Sequence, residues 1–368
     1  MKILYLGDDF VHSTSAHRAA ALRRLGHEVT VIYPLAVLSR SPVVGAISTR
    51  LGFSPFVPWI DAAMRRKIAG QAFDLAWIDS GADVSPGFHR WLRDRKTRIL
   101  NYNIDDPFGT RDGRKWDLYR RSVPYHDVTV VVRNENVPEA QAVGASNVIR
   151  VYRSYDPVAH APKKLTDSEK EKWRSDVVFV GAWMPERGPF LSRLLELGVP
   201  LSIWGHSWHR AKEWSRLRAC WRGSALHGDD YVNAINGAKV ALGLLSKGNR
   251  DLHTTRSAEV PFIGGAVFCA ERTEEHSYLF KEGKEAAFWS DEEECASRCI
   301  ELLADAPLRR QMAEAARRRI VAHRLSNDEV LAAVILQTNP QLEQQPVPVV
   351  FDQAKSYVRP FRPQSQHV

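Results

Sequence analysis

The sequence predicts an α/β protein built as two lobes, each a parallel sheet with helices on both faces. Three observations carry that expectation. Short apolar runs alternate with helical patterns from Ile3 to Tyr152, and the alternation restarts at Val177. A polar, Lys-rich connector carrying Pro157 and Pro162 separates the two series. A chain of 368 residues, 44% hydrophobic and 26% charged, is long for one core and natural for two. The expected division is a first lobe over 1–155, a linker over 156–173, a second lobe over 174–338 and a tail over 339–368.

The first lobe opens as a βαβ unit: Ile3–Gly7, a helix over about Ala16–Leu25 stopped by Gly26, and Val29–Tyr33. Ser13–Ser15 supply N-cap candidates. A dinucleotide site would need G-x-G-x-x-G after the first strand and an acid near the end of the second. Gly7-Asp8-Asp9-Phe10 and Tyr33-Pro34 stand there instead, which argues against a nicotinamide enzyme. The Gly7–His17 loop is expected to face a cleft between the lobes, with His12 and His17 as acid–base candidates. A lone loop histidine more often has no catalytic part.

Leu38–Lys67 is less regular and ends in the basic segment Met64–Lys67. Strands follow at Leu75–Asp79, Arg98–Tyr102, Val128–Val132 and Val148–Tyr152. Asn103-Ile104-Asp105-Asp106-Pro107 lies just past a strand's carboxyl end, where such sheets bind ligands. Asp105 or Asp106 would suit a base that orients a hydroxyl. An Asx-turn feeding Pro107 accounts for the same residues without function.

The second series starts with Val177–Gly181 and a loop, Ala182–Gly188, into a helix over Pro189–Leu197. Arg187, at this strand-to-helix junction, is placed to neutralise a departing anion. Leu201–Trp204 repeats the pattern. His206 and His209 follow it without a third metal ligand nearby. Leu226–Tyr231 opens another helix, and Val240–Leu245 is the strand that delivers the chain to its most informative stretch, Asn249–Trp289. There a helix carrying Arg256 and Glu259 ends at Gly264–Gly265. The strand Ala266–Ala270 comes next, then a helix over about Glu274–Phe280 closed by Gly283. Arg and Glu at i and i+3 share a helix face, and guanidinium plus carboxylate suit the phosphates and ribose of a nucleotide diphosphate. An ordinary surface ion pair has the same spacing. Helical patterns over Asp291–Leu303 and Leu308–His323 follow, the latter amphipathic; beyond Asn339 a Pro-, Gln- and Val-rich tail is expected to lie on the surface or stay disordered.

The order Arg256-x-x-Glu259, Gly264, a strand, then Glu271-Arg272-Thr273-x-Glu275-His276 and Phe280-x-Glu282-Gly283-Lys284-Glu285-Ala286 resembles the spore-maturation (CgeB-type) branch of the glycosyltransferases. Tyr155-Asp156-Pro157 with His160 and Pro162, and the Asp105-Asp106-Pro107 turn, are similar to that family too. The resemblance is strongest over about Asp176–Leu331. It implies a GT-B fold, two Rossmann-like domains facing a cleft, with the donor bound by the second and the acceptor by the first. It implies transfer of a sugar from a nucleotide-sugar donor to an acceptor hydroxyl, as a retaining hexosyltransferase. In related enzymes an acidic residue, seven spacers and a Glu precede an Ala-rich helix and a Gly; Asp251, Glu259 and Gly264 occupy those places. Asp251 is one methylene shorter than the usual Glu. By this resemblance Glu259 holds the donor ribose, Arg187 and Arg256 the phosphates, and Tyr231 stacks near the nucleobase.

The expected catalytic set is therefore Arg187, Asp251, Asp105, Asp106 and His12. The expected donor-binding set is Glu259, Arg256, Gly264, Gly265, Tyr231 and Gly181. No Asp-x-Asp occurs in the chain. Metal-dependent transferases use that triplet to hold a cation on the diphosphate, so neither metal nor cofactor is expected. Two rivals share the fold: a nucleotide-sugar epimerase, which needs no acceptor, and a non-catalytic nucleotide-sugar-binding protein.

Composition narrows the partners. Net charge is +8, but the arginines fall in helical patterns, as solvated faces do. An acidic membrane surface or an anionic donor is the next reading, and no nucleic-acid motif accompanies the charge. No apolar run approaches the ~18–20 residues of a spanning helix. Cys220, Cys269, Cys295 and Cys299 include no C-x-x-C pair, and Cys295 with Cys299 reads as buried apolar side chains before half a metal site. A cytoplasmic protein, peripheral at the inner membrane face at most, is expected.

Overall fold

Apolar runs and helical patterns become two parallel sheets in the computed structural model, which describes residues 1–38, 47, 51–338, 350–352 and 357–359. The chain divides into two units. The first gathers Met1–Tyr152, Gly248–Arg250 and the described residues from Asn327 on; the second gathers Arg153–Lys247 and Asp251–Ser326.

The first unit holds β1 (Lys2–Leu6), β2 (Glu28–Ile32), β3 (Leu75–Asp79), β4 (Arg98–Tyr102), β5 (Val128–Val131) and β6 (Val148–Arg150). They pair in parallel in the order β2–β1–β3–β4–β5–β6. All five residues of β3 are buried, as expected of a central strand covered on both faces. Trp77 stacks between Tyr5 and Tyr102, at centroid distances of 6.4 and 5.4 Å. The helix Thr14–Arg24 starts where the Ser13 hydroxyl accepts the Ala16 N–H at 3.0 Å. It stops before Gly26, whose φ of +83° is a left-handed exit.

Two features differ from expectation. The helix Asn327–Leu336 belongs to the first unit and not to the second lobe: its Val330, Leu331, Ala333 and Val334 are buried, it packs on Thr14–Arg24, and Arg24 grips Asp328 with two 2.8 Å bonds. Periodicity locates such a helix without saying what it covers. The tail also carries an antiparallel pair, β13 (Val350–Asp352) and β14 (Tyr357–Arg359), that extends the sheet beyond β6. An edge strand with unpaired N–H and C=O groups invites such an addition. Residues 39–46 and 48–50 of the irregular stretch expected over Leu38–Lys67 lie outside the described residues.

The second unit holds β7 (Ser175–Val180), β8 (Leu201–Trp204), β9 (Trp221–Gly223), β10 (Ala238–Gly243), β11 (Val267–Glu271) and β12 (Ala287–Trp289). Their parallel order is β12–β11–β10–β7–β8–β9. Its core joins Val177, Phe179, Ile203, Val240 and Leu242 to Leu191, Leu194 and Leu302. In each sheet the strand order reverses once, between β1 and β3 and between β7 and β10. Ligands of such sheets bind beyond the carboxyl ends at that reversal. Among the described residues no helix is long and apolar enough to cross a membrane.

Candidate donor site

At the carboxyl end of β7 the chain turns through Gly181, whose N–H donates to the Trp204 carbonyl at 2.8 Å. A Cβ on Gly181 would sit 2.7 Å from the Phe179 ring and 3.4 Å from Arg187 Nη1. Glycine thus lets Arg187 fold back over the strand end. Arg187 is the first residue of the helix Arg187–Glu196 and is 7% exposed. Its Nη1 donates to the Ala182 carbonyl at 2.9 Å and Nη2 to the Leu244 carbonyl at 3.3 Å. Arg256, first residue of the helix Arg256–Ile263, donates from Nε to the Val180 carbonyl at 3.4 Å. Two guanidiniums therefore converge on the end of one strand, at the reversal of strand order.

Glu259 lies beneath them. Its side chain is 2% exposed, against 35% for Arg256. Tyr231 Oη and Arg256 Nη1 each donate to its Oε2 at 2.8 Å, and His160 Nε2 lies 3.5 Å from Oε1. Burial opposes the charge of Glu259, yet His160, Arg256 and the Tyr231 hydroxyl hold its pKa below the usual glutamate value. The Arg256 guanidinium also lies over the Tyr231 ring, 4.6 Å from its centroid. Glu259 and Tyr231 have their polar groups engaged with each other, and Arg256 is the member that reaches solvent.

Asp251 also turns inward: its side chain is 4% exposed and paired to Arg153 Nη2 at 3.0 Å. The Arg153 N–H donates to His253 Nε2 at 2.9 Å, which leaves the His253 proton on Nδ1, facing Glu275 Oε2. Arg153 and His253 carry no sequence signal, because their partners are remote in the chain, and the motif that contains Glu275 does not show its pairing with His253.

Gly264 and Gly265 are a correction. They follow the last turn of Arg256–Ile263 and precede β11, so they lie at the amino end of the sheet, opposite the carboxyl ends of the strands. Gly264 has φ +77° as the helix stop, and a Cβ on Gly265 would meet Asn236 Cα at 2.3 Å. They pack against Arg317 and Asn236, at the other end of the sheet from Arg187 and Arg256.

In the first unit, Asp106 is a structural node. Its Oδ1 accepts from Gly109 N–H at 3.0 Å and from Asn136 at 2.9 Å, and Arg250 grips both oxygens at 2.7 Å. Burial raises its pKa, but the Arg250 and Asn136 bonds more than offset that and hold it low, which disfavours a general base. Asn103 Oδ1 accepts the Asp105 N–H at 2.9 Å, the Asx-turn reading. Asp105 itself is half-buried, and His12 is exposed with its ring edge-on to Phe10. A pair missed in the sequence sits at the β1/β3 reversal: Arg18 holds Asp79 at 2.6 and 2.8 Å, both buried, and Tyr5 Oη donates to Asp79 at 2.7 Å.

A cavity of about 250 Å³ opens at the carboxyl ends of β7, β10, β11 and β12. Arg187, Leu244, Lys247, Glu271, Phe190 and Trp289 are among its lining residues. Phe190 and Trp289 pack at 4.6 Å, and Lys247 pairs with Glu271. Glu186, Asp291 and Glu292 add carboxylates to the rim.

Residues 187–333, less than half of the chain, match the family model described as Glycosyl transferase-like. None of the curated proteins compared matches the sequence. Among solved structures, sucrose-phosphate synthase from Thermosynechococcus elongatus is similar at TM-score 0.66 and 14% identity, over 93% of this chain and 99% of that one. A UDP-forming trehalose-phosphate synthase from Burkholderia xenovorans gives 0.60 and 11%, over 94% and 100%. Anabaena HepE in complex with UDP-glucose gives 0.58 and 13%, over 94% and 100%. These likenesses establish the fold, two Rossmann-like domains of the GT-B class.

Proposed function

We propose that the protein is a nucleotide-sugar-dependent glycosyltransferase of the retaining, hexose-transferring kind, working without a divalent cation. The observation that carries the reading is the convergence of Arg187 and Arg256 on the end of β7, at the reversal of strand order. Phosphates placed there meet two guanidiniums and the amino end of the helix Arg187–Glu196. The adjoining cavity suits a sugar: Phe190 and Trp289 line it with apolar surface for C–H groups, and the rim carboxylates accept from hydroxyls. Glu259 and Tyr231 act from below by holding Arg256 in position.

In the proposed reaction the bond from the anomeric carbon to the diphosphate breaks, the acceptor oxygen bonds to that carbon on the same face, and the acceptor's hydroxyl proton passes to the departing diphosphate oxygen. Negative charge grows on the diphosphate oxygen, and Arg187 and Arg256 stabilise it. That is the task a metal performs in the other transferase class. The similarity to the Glycosyl transferase-like model over 187–333 supports the class. The order of motifs from Arg256 to Ala286 supports the spore-maturation (CgeB-type) branch.

The test is a thermal-shift screen against UDP, GDP, ADP, dTDP and their common sugars, since a ligand of the native state raises the midpoint by mass action. A nucleotide-sugar hit should then release its nucleoside diphosphate only when an acceptor is supplied. Epimerised donor without acceptor would point to the epimerase, and binding without any release to a non-catalytic protein. Failure of every nucleotide to bind would end the proposal.

A further inference from the structure

Three cysteine sulfurs meet in the core of the second unit. Cys269 lies on β11, and Cys295 and Cys299 lie one turn apart on the helix Glu292–Ala304. All three are free and fully buried, and their Sγ atoms lie within 4.8 Å of one another. The sequence shows only the helical pair; the sheet brings the third. Val240, Leu242, Ala287 and Leu302 belong to the same apolar cluster. Among the described residues no carboxylate or imidazole joins the three sulfurs.

We propose that this triad is a binding site for one trivalent thiophilic metalloid of the arsenite class, held by three sulfur bonds and without water. Charge selects the ion. Three thiolates around a trivalent centre make a neutral complex, whereas a divalent ion leaves one negative charge and a monovalent ion leaves two. Net charge in apolar surroundings is strongly disfavoured. A closed divalent site also needs a fourth ligand, which this core does not offer, and thiolates favour soft centres in any case. The reaction balances without an oxidant. Arsenous acid loses its three hydroxyls, three As–O bonds give way to three As–S bonds, and each thiol proton leaves with a hydroxide as water. Arsenic stays trivalent. Entry proceeds through local opening of the helix, so uptake is slow and release slower. The loaded site ties β11 to a helix whose first residue, Glu292, lines the cavity beside Trp289.

The experiment uses the reduced full-length protein with sodium arsenite, and with zinc chloride in a parallel arm. One arsenic per chain should survive dialysis, X-ray absorption should show three sulfur neighbours, and the thermal midpoint should rise. Cys220→Ser should leave all three results unchanged. Cys299→Ser and Cys269→Ala should each lose the three-sulfur signature and release arsenic on dialysis, with circular dichroism confirming that they fold. The wild-type absorption spectrum decides the matter even if a variant does not fold. No retained arsenic, a two-sulfur complex in the wild type, or zinc retained by these cysteines in preference to arsenite would each overturn the proposal.

Discussion

Arg187 and Arg256 each begin a helix, and each donates to carbonyls at the end of β7. If Arg187 meets the charge that develops on the leaving diphosphate, Arg187→Ala should lower kcat by ~10²–10³ with a smaller change in donor KM. Steady-state diphosphate release with the donor found by thermal shift checks this; equal losses in binding and turnover would make Arg187 a binding residue only. Glu259 is a different case. Its partner Arg256 reaches solvent and a glutamine still accepts from Tyr231, so Glu259→Gln should lose about 1–3 kcal/mol of stability in denaturant unfolding, besides weakening the donor through Arg256. A third residue-scale effect lies in the first unit, at His89 and His126. His89 Nδ1 donates to the Ser85 carbonyl at 2.7 Å, so its Nε2 accepts from His126 Nε2, 3.3 Å away. Burial pushes His89 down to about 4, although the Ser85 carbonyl works the other way; His126 is pushed down by burial and by His89. The folded pair is neutral while unfolded histidine takes its proton near 6.5. Below that value the unfolded chain binds more protons, so stability falls as pH drops from 6.5 towards 4 and is flat above. His89 alone contributes on the order of 3 kcal/mol over that window. Unfolding curves at pH 7.5 and pH 5 that coincide would refute it.

Among the elements, the helix Arg256–Ile263 shows what the sequence can and cannot disclose. Its glycine stop was legible, because a left-handed C-terminal residue is nearly always glycine. The direction in which Gly265 faces was not, since that depends on the neighbouring helix Gly228–Asn236. Gly265→Ala should therefore reduce stability by about 1–3 kcal/mol through overpacking, while calorimetry finds the folded protein's nucleotide affinity unchanged. A weakened affinity would restore the glycine pair to the donor site. Most strands were legible for a related reason: strands buried on both faces are continuous apolar runs. β9, Trp221–Gly223, escaped notice because it is a short edge strand with two exposed residues. At the site, Arg187 and the Arg256–Glu259 pair could be read from strand-to-helix junctions and i,i+3 spacing. Arg153 with Asp251, and Arg18 with Asp79, could not, because the folded chain alone brings such distant residues together.

The whole molecule is divided differently from its sequence. The first unit is completed by Asn327–Leu336, whose buried Val330, Leu331 and Val334 come from the far end of the described chain. A fragment of residues 1–155 should thus melt without a cooperative transition, and supplying 327–338 as a fused segment should restore one. A sharp, unchanged transition in the bare fragment would show the helix to be dispensable. The same arrangement bears on synthesis. Domains generally fold as they leave the ribosome, amino-terminal first. Here the first unit's sheet must wait, one side of the helix Thr14–Arg24 uncovered, until Asn327–Leu336 has been translated, and the second unit, made in between, can finish before it. Nascent chains stalled before Asn327 are then the species in which a holdase chaperone would find its substrate.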